Sequence, residues 1–332
     1  MSKLPVTLFE EMINKKIRWG IVGPGIIAHQ FASDFRWVDN GELIAVASRD
    51  KGRAQAFADT HGIAKAYEGY QSLFDDADVD AIYIATPHNF HFENAKAALK
   101  AGKAVMCEKP ITVNPSELVE LIQIAKMNSS YLMEAMWTYF LPAIMRSREW
   151  VKSGRIGKVL QVKADFGYPT QYDPLSRMYN PNLAGGALLD MGIYPIAVTA
   201  LMIDSLPEEV KVVVQKAKTG VDSEVTMLFE YGDGSLANLC ASFRAKLNNW
   251  AYIIGEKGYI ALPEFWRATE CFLYEGDHII DHYEGLRDSF GYHYETHSMN
   301  EDLLSGRDQS VIMTHEMSMK LQQMMASVKV YF

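Results

Sequence analysis

The sequence predicts an α/β fold in two parts: an N-terminal doubly wound parallel sheet, then an α+β domain built around a mostly antiparallel sheet. Three observations carry this. Up to about residue 140, short apolar runs alternate with amphipathic segments of about a dozen residues, the pattern of βαβ crossovers covering both faces of a sheet. Beyond that point, apolar runs follow one another across tight turns, as in an antiparallel sheet. The chain also has 332 residues, more than one hydrophobic core usually organises. The expected division is therefore 1–140 and 141–332.

In the first part, residues 17–22 form an apolar strand. Gly23-Pro24-Gly25 follows, then a helical pattern over 26–35 in which Ile27, Phe31 and Phe35 recur at helical spacing. Strands over 43–47, 81–85, 103–107 and 131–135 are separated by helices over 52–61, 93–99 and 115–127. In the second part, a helix over 142–152 precedes a strand over 158–166 and a long polar and aromatic loop. A helix then begins near Leu188. Strands over 210–214, 224–231, 235–243, 251–255 and 258–261 come next, with Gly232-Asp233-Gly234 and Glu256-Lys257-Gly258 as hairpin turns. Helices over 292–304 and 314–329 close the pattern.

Composition narrows the function. The net charge of -9, with no basic block, argues against a nucleic-acid or anionic-membrane surface, so an anionic cofactor would need local positive groups. Cys107, Cys240 and Cys271 are too few and too scattered for a disulfide framework or a CxxC site, which fits a reducing cytoplasm. Residues 1–16 lack a signal-peptide core, and no later stretch is read as ~18 continuous apolar residues of a membrane helix.

Gly23-Pro24-Gly25-Ile26-Ile27-Ala28 has the form GxGxxA between a strand and a helix. The first glycine allows the tight turn, the second admits a pyrophosphate to the backbone, and the small third residue permits close helix packing, with Ile26 and Ile27 opening the helix. The second strand ends at Ser48-Arg49-Asp50. Ser48, Arg49 and Arg53 suit a 2′-phosphate and favour NADP, whereas Asp50 keeps NAD possible; a solvated helix start is the plain alternative for the basic residues. Thr86, Pro87, His88 and His91 follow the third strand at the sheet edge where such folds bind ligands. Neither the His88/His91 spacing nor the His293/His297 pair brings a matching third ligand, so no metal is expected.

Glu108 and Lys109 sit at a strand end before Pro110. A lysine facing a cleft there can lower a neighbouring phenol's pKa or carry a proton itself; the plain alternative is a surface pair with Glu108. Asp190 and Tyr194 are four apart, on one helix face after a flexible Gly185-Gly186 pair, and Lys109 would activate Tyr194. A core tyrosine and a helix-start carboxylate are the bland alternatives. Cys107 is read as a small buried filler.

With these motifs in order, the chain resembles the glucose–fructose oxidoreductase and inositol dehydrogenase superfamily over most of residues 17–330. The carriers are GPGIIA, AVASRD, ATPHNFHFENA, CEKP and GGALLDMGIYP. Within it, residues 133–140 and GGALLDMGIYP are most similar to dimeric dihydrodiol dehydrogenases and NADP-dependent D-xylose dehydrogenases. The resemblance implies a Rossmann domain and a C-terminal domain with a large, mostly antiparallel sheet, often used to form homodimers or higher homo-oligomers. It gives Lys109 and Tyr194 the role of catalytic pair, Asp190 that of orienting substrate, and Arg49 the 2′-phosphate contact. Trp137, Phe166 and Tyr168 would wall the substrate pocket. The inositol branch generally has histidine where this chain has Tyr194. The expected activity is NADP-dependent hydride transfer to or from a hydroxyl or carbonyl of an aldose, cyclic polyol or trans-dihydrodiol. A catalytically silent NADP-binding sensor is the alternative.

Overall fold

The computed structural model describes residues 16–332; nearly all of the N-terminal segment read above for a leader lies outside them. The first sheet contains β1 (Ile17–Val22), β2 (Gly41–Ser48), β3 (Lys65–Glu68), β4 (Ala81–Ile84), β5 (Ala104–Glu108) and β6 (Leu132–Ala135). Its order is β3-β2-β1-β4-β5-β6 and every pairing is parallel. The chain reverses its winding between β1 and β4, which opens a crevice at their C-terminal ends. β4 and β5 are buried at every position, as sheets covered on both faces require.

The helices of this unit start where local chemistry supplies a cap. α1 (Ile26–Asp34) follows the glycine turn, and α2 (Lys51–His61) begins where the Asp50 carboxylate accepts the Arg53 N–H at 2.8 Å. The short α3 (Gln71–Phe74) and α4 (His91–Lys100) flank β4 in sequence. α5 (Pro115–Met127) combines an Asn114 cap, accepting from the Glu117 N–H at 3.1 Å, with proline in its first turn.

After α6 (Pro142–Lys152), the second sheet comprises β7 (Val159–Gly167), β8 (Glu209–Lys216), β9 (Asp222–Glu230), β10 (Leu236–Ser242), β11 (Ala251–Gly255), β12 (Tyr259–Leu262), β13 (Glu270–Glu275) and β14 (His278–Glu284). The order is β14-β13-β12-β11-β7-β10-β9-β8. All neighbours are antiparallel except β7 and β10, which run parallel at the centre. Every residue of α7 (Ile193–Met202) is buried, and the helix packs on β7 and β10. The helical stretch Pro181–Met202 is apolar and long enough to span a membrane by composition, contrary to the reading of the sequence, but 89% of its most apolar 18-residue window is buried inside the fold, as in a core helix.

α8 (Tyr292–Leu304) and α9 (His315–Lys329) return to the first sheet. The buried Trp19 indole of β1 donates to Asn300 of α8 at 2.9 Å, and Gln322 of α9 donates to the Thr112 carbonyl at 2.9 Å. The two sheets are thus joined by the end of the chain.

Candidate active site

A cavity of about 400 Å³ lies across the C-terminal ends of β1, β2, β4 and β5, and every residue proposed above for cofactor binding lines it. Gly23 has φ +89°, and a Cβ there would approach Thr86 Cγ2 to 2.9 Å, so both conformation and space demand glycine. A Cβ on Gly25 would meet nothing within 4 Å, which leaves open room beside the backbone. α1 starts there without a side-chain cap, while Ala28 is buried under it. These are the features that fit a dinucleotide pyrophosphate.

At the other end of this wall, Ser48 is buried and Arg49 is exposed, with its guanidinium 5.6 Å from the Phe90 ring centroid. Asp50 also accepts the Arg53 N–H, so its carboxylate is already engaged as a helix cap. Tyr70, which carries no motif, completes this end; burial raises its phenol pKa against the opposing pull of Arg49 and Arg53.

The proposed reacting groups meet at the opposite end. Leu188–Gly192 forms a π-helical turn that runs into α7. The Ile193 N–H reaches back five residues to the Leu188 carbonyl. The residue five on from Asp190 is Pro195, which has no N–H to offer the Asp190 carbonyl. That carbonyl instead accepts Lys109 Nζ at 2.7 Å. Lys109 is therefore not a surface partner of Glu108: it is largely buried, with Nζ 4.6 Å from the Tyr194 ring centroid. Its distance to the Asp190 carboxylate is 3.8 Å, whereas Arg177 reaches the same oxygen at 2.8 Å.

The surroundings move the titratable groups in different directions. The net shift of the Tyr194 phenol is upward: burial raises its pKa and the Glu108 charge adds to the effect, although the Lys109 ammonium lies 4.6 Å from the ring centroid. The Trp137 indole donates to the Tyr194 hydroxyl at 3.1 Å. Lys109 moves the other way, its pKa lowered by burial against the opposing charges of Asp190 and Glu108. Burial would raise Asp190, yet Lys109 and Arg177 hold its carboxyl well below the usual range.

The remaining candidates divide. Burial, with His91 alongside, pulls His88 down to about 3, so it lines the cavity as a neutral ring. His91 is fixed between the Pro110 and Thr86 carbonyls at 2.8 and 2.7 Å, leaving neither ring nitrogen for a metal. Among the described residues, no group of three or more His, Cys, Asp or Glu could hold a metal ion. Glu108 takes the Tyr83 hydroxyl on its buried side. Cys107 is fully buried, and burial pushes its thiol well up. Trp137, Phe166 and Tyr168, expected as pocket walls, are not among the residues lining the cavity. Trp137 and Phe166 contact Tyr194, Phe166 edge-on at 5.3 Å, and Tyr168 packs against Phe166. They brace the tyrosine.

Gly185 and Gly186 are not flexible either. A Cβ on Gly185 would fall 2.7 Å from the Met178 carbonyl, and one on Gly186 would collide with Asp222. They permit close packing of the 168–184 loop. Arg177 from that loop and Tyr292 from the start of α8 line the cavity, though no sequence motif marked them.

The family model of the GFO/IDH/MocA oxidoreductases, with an NAD-binding Rossmann fold, matches residues 17–136, and the GFO/IDH/MocA C-terminal domain matches 144–261. The mouse trans-1,2-dihydrobenzene-1,2-diol dehydrogenase is 35% identical over 302 residues, covering 82% of this chain and 90% of that protein. The human protein of the same name is 38% identical over 266 residues, covering 79% of each. Among solved structures, the aldose-aldose oxidoreductase of Caulobacter crescentus complexed with glycerol superposes with a TM-score of 0.87 at 22% identity, covering 95% of this chain and 97% of that one. KijD10, a 3-ketoreductase of Actinomadura kijaniata in complex with NADP and TDP-benzene, gives 0.83 at 25% identity, covering 95% and 98%. The glycine turn, the strand-end lysine and the paired sheets are thus those of an NAD(P)-dependent dehydrogenase, homologous to the dihydrodiol dehydrogenases, and the chain belongs to the GFO/IDH/MocA oxidoreductase family.

Proposed function

We propose that the protein transfers hydride between NADP and a hydroxyl or carbonyl group of an aldose, cyclic polyol or trans-dihydrodiol. The observation that carries this is the position of Lys109: buried at one end of the cavity whose other end bears the open glycine turn and Arg49. When bound, the nicotinamide supplies the hydride acceptor or donor. Lys109, its ammonium destabilised by burial, carries the hydroxyl proton, and the Tyr194 hydroxyl contacts the substrate. This ordering of roles replaces tyrosine by lysine as the proton carrier. Asp190 presents its carboxylate to an adjacent hydroxyl, which favours vicinal diols. The choice of NADP is supported by Arg49 and Arg53 at the cavity edge and by the engagement of Asp50 as a helix cap.

The open face of the second sheet supports a homodimer. Val213, Leu228 and Leu236 are exposed there, and Tyr259 stacks on Tyr274 at 4.5 Å. Light scattering at micromolar concentration should give twice the chain mass, and a monomer would remove this reading. For the activity, nicotinamide absorbance is followed with aldoses, inositols and trans-dihydrodiols, with NADP and NAD compared. NADP-linked turnover on one class is expected; tight NADP binding with no turnover on any class would count against an enzyme of this specificity.

A further inference from the structure

We infer that Arg177 is a positioning residue for Lys109: by drawing the Asp190 carboxylate to itself and adding a positive charge nearby, it frees the lysine to take up the substrate proton. The inference rests on the reading of Lys109 as proton carrier given above.

The geometry is asymmetric. Asp190 Oδ1 is 2.8 Å from Arg177 Nη1 but 3.8 Å from Lys109 Nζ, so the carboxylate is committed to the arginine. Lys109 keeps its place through the Asp190 backbone carbonyl, a neutral acceptor, at 2.7 Å. An ammonium held by a carbonyl loses less on deprotonation than one paired directly with a carboxylate.

Arg177 is held where this requires. Its loop is pinned by the Gly186 N–H to the Met178 carbonyl at 2.9 Å and by Tyr179, buried against Phe243. The Gly185 backbone lies so close under the loop that its Cβ would be 2.9 Å from the Arg177 carbonyl. The guanidinium is half exposed at the cavity mouth, so its loss need not disturb the core.

Other groups also face Lys109, and their signs differ. Asp190 and Tyr194 approach from the helical turn, Glu108 from its own strand, Glu134 from β6, and neutral His88 with buried His91 from the turn after β4. Burial lowers the Lys109 pKa most; the carboxylates oppose it, and Arg177 is the nearby cation that reinforces it. Removing Arg177 withdraws that repulsion and lets the Asp190 carboxylate turn to the lysine. Both changes favour the ammonium.

The test compares wild type with Arg177→Met and Arg177→Lys by two readouts. The first is the pH dependence of kcat/KM for alcohol oxidation on the substrate found above. The second needs no turnover: the pH midpoint for acetylation of Lys109 by acetic anhydride, read by mass spectrometry. Arg177→Met should move both midpoints upward by about one pH unit or more, and Arg177→Lys, which keeps the charge, should stay close to the wild-type midpoints. Unmoved midpoints in Arg177→Met would overturn the inference, as would an equal shift in Arg177→Lys, since charge would then not be the agent. An enzyme with no turnover on any substrate would defeat the proposed activity alone, and the acetylation midpoint would still decide the role of Arg177.

Discussion

Tyr292 on the cavity wall is fixed by Asp34 at the far end of α1: its backbone N–H donates to Asp34 Oδ2 at 2.9 Å across 258 residues of sequence. The same carboxylate accepts the N–H groups of Phe290 and Gly291 at 2.9 and 2.7 Å. The helix that opens beside the glycine turn therefore ends by capping α8, whose first residue faces the cavity.

Asp34→Asn should reduce stability by about 1–3 kcal/mol, because charge-assisted bonds to a buried carboxylate are weakened. Burial raises the Asp34 pKa, but His293 and the three N–H groups bring it below its ordinary value. The carboxylate thus contributes stability above the unfolded-state pKa, and that contribution is lost as pH falls through the lower folded value. Denaturant unfolding at several pH values checks this; matching midpoints at neutral pH would show that Asp34 contributes nothing.

Lys109→Met should abolish measurable turnover, with a loss on the order of 100-fold to 10,000-fold for removal of a proton carrier. Tyr194→Phe should also lose activity, but with the pH dependence of the remaining rate unchanged, since its phenol does not titrate near neutral pH. Steady-state kinetics and NADP(H) fluorescence titration check both, and cofactor binding should survive in each. Full activity in both variants would remove their proposed roles.

Arg49→Ala should weaken NADP binding by roughly tenfold or more, by loss of a charge-assisted phosphate contact, while NAD binding changes little. Isothermal titration with the two cofactors decides it. An equal loss for both would place Arg49 on the adenine or the shared phosphates.

Glu134→Gln should alter the pH dependence of stability. Burial pushes Glu134 up to about 7, although the Ile111 N–H and Ser318 pull it down, and one carboxylate oxygen has no partner. Below about pH 7 the carboxyl stays neutral in the fold, while the unfolded chain ionises near its ordinary value. Wild-type stability should therefore decline as pH rises from the ordinary carboxylate pKa to about 7, by about 3 kcal/mol in total. Glutamine should remove that decline; parallel stability curves for the two proteins would contradict it.

Much of this was legible in the sequence where one physical cause dominates. The apolar strands ending at Val22, Ile84 and Glu108 and the turn at Gly23 follow from burial and backbone sterics, and Lys109, Asp190 and Tyr194 do converge. β3 was missed because KAYE has no fully buried position, and β14 because an edge strand this exposed carries little periodic signal; β13, paired on both sides with Cys271 and Leu273 buried, is a short apolar run that was not read. Arg177 and Tyr292 reach the cavity from a loop and a helix start, so their place depends on packing between distant segments. The upward shift of the Tyr194 phenol comes mainly from its burial, which residue spacing does not reveal.

The wide turn at Leu188–Gly192 has a consequence for how far the site can be altered. Lys109 is seated on the main chain at residue 190, and a main-chain acceptor is present whatever side chain that residue carries. The side chain of residue 190 can therefore be exchanged without removing the acceptor that seats the lysine. On the proposed roles, anchoring of the proton carrier and selection of the substrate would be two separate properties of one residue.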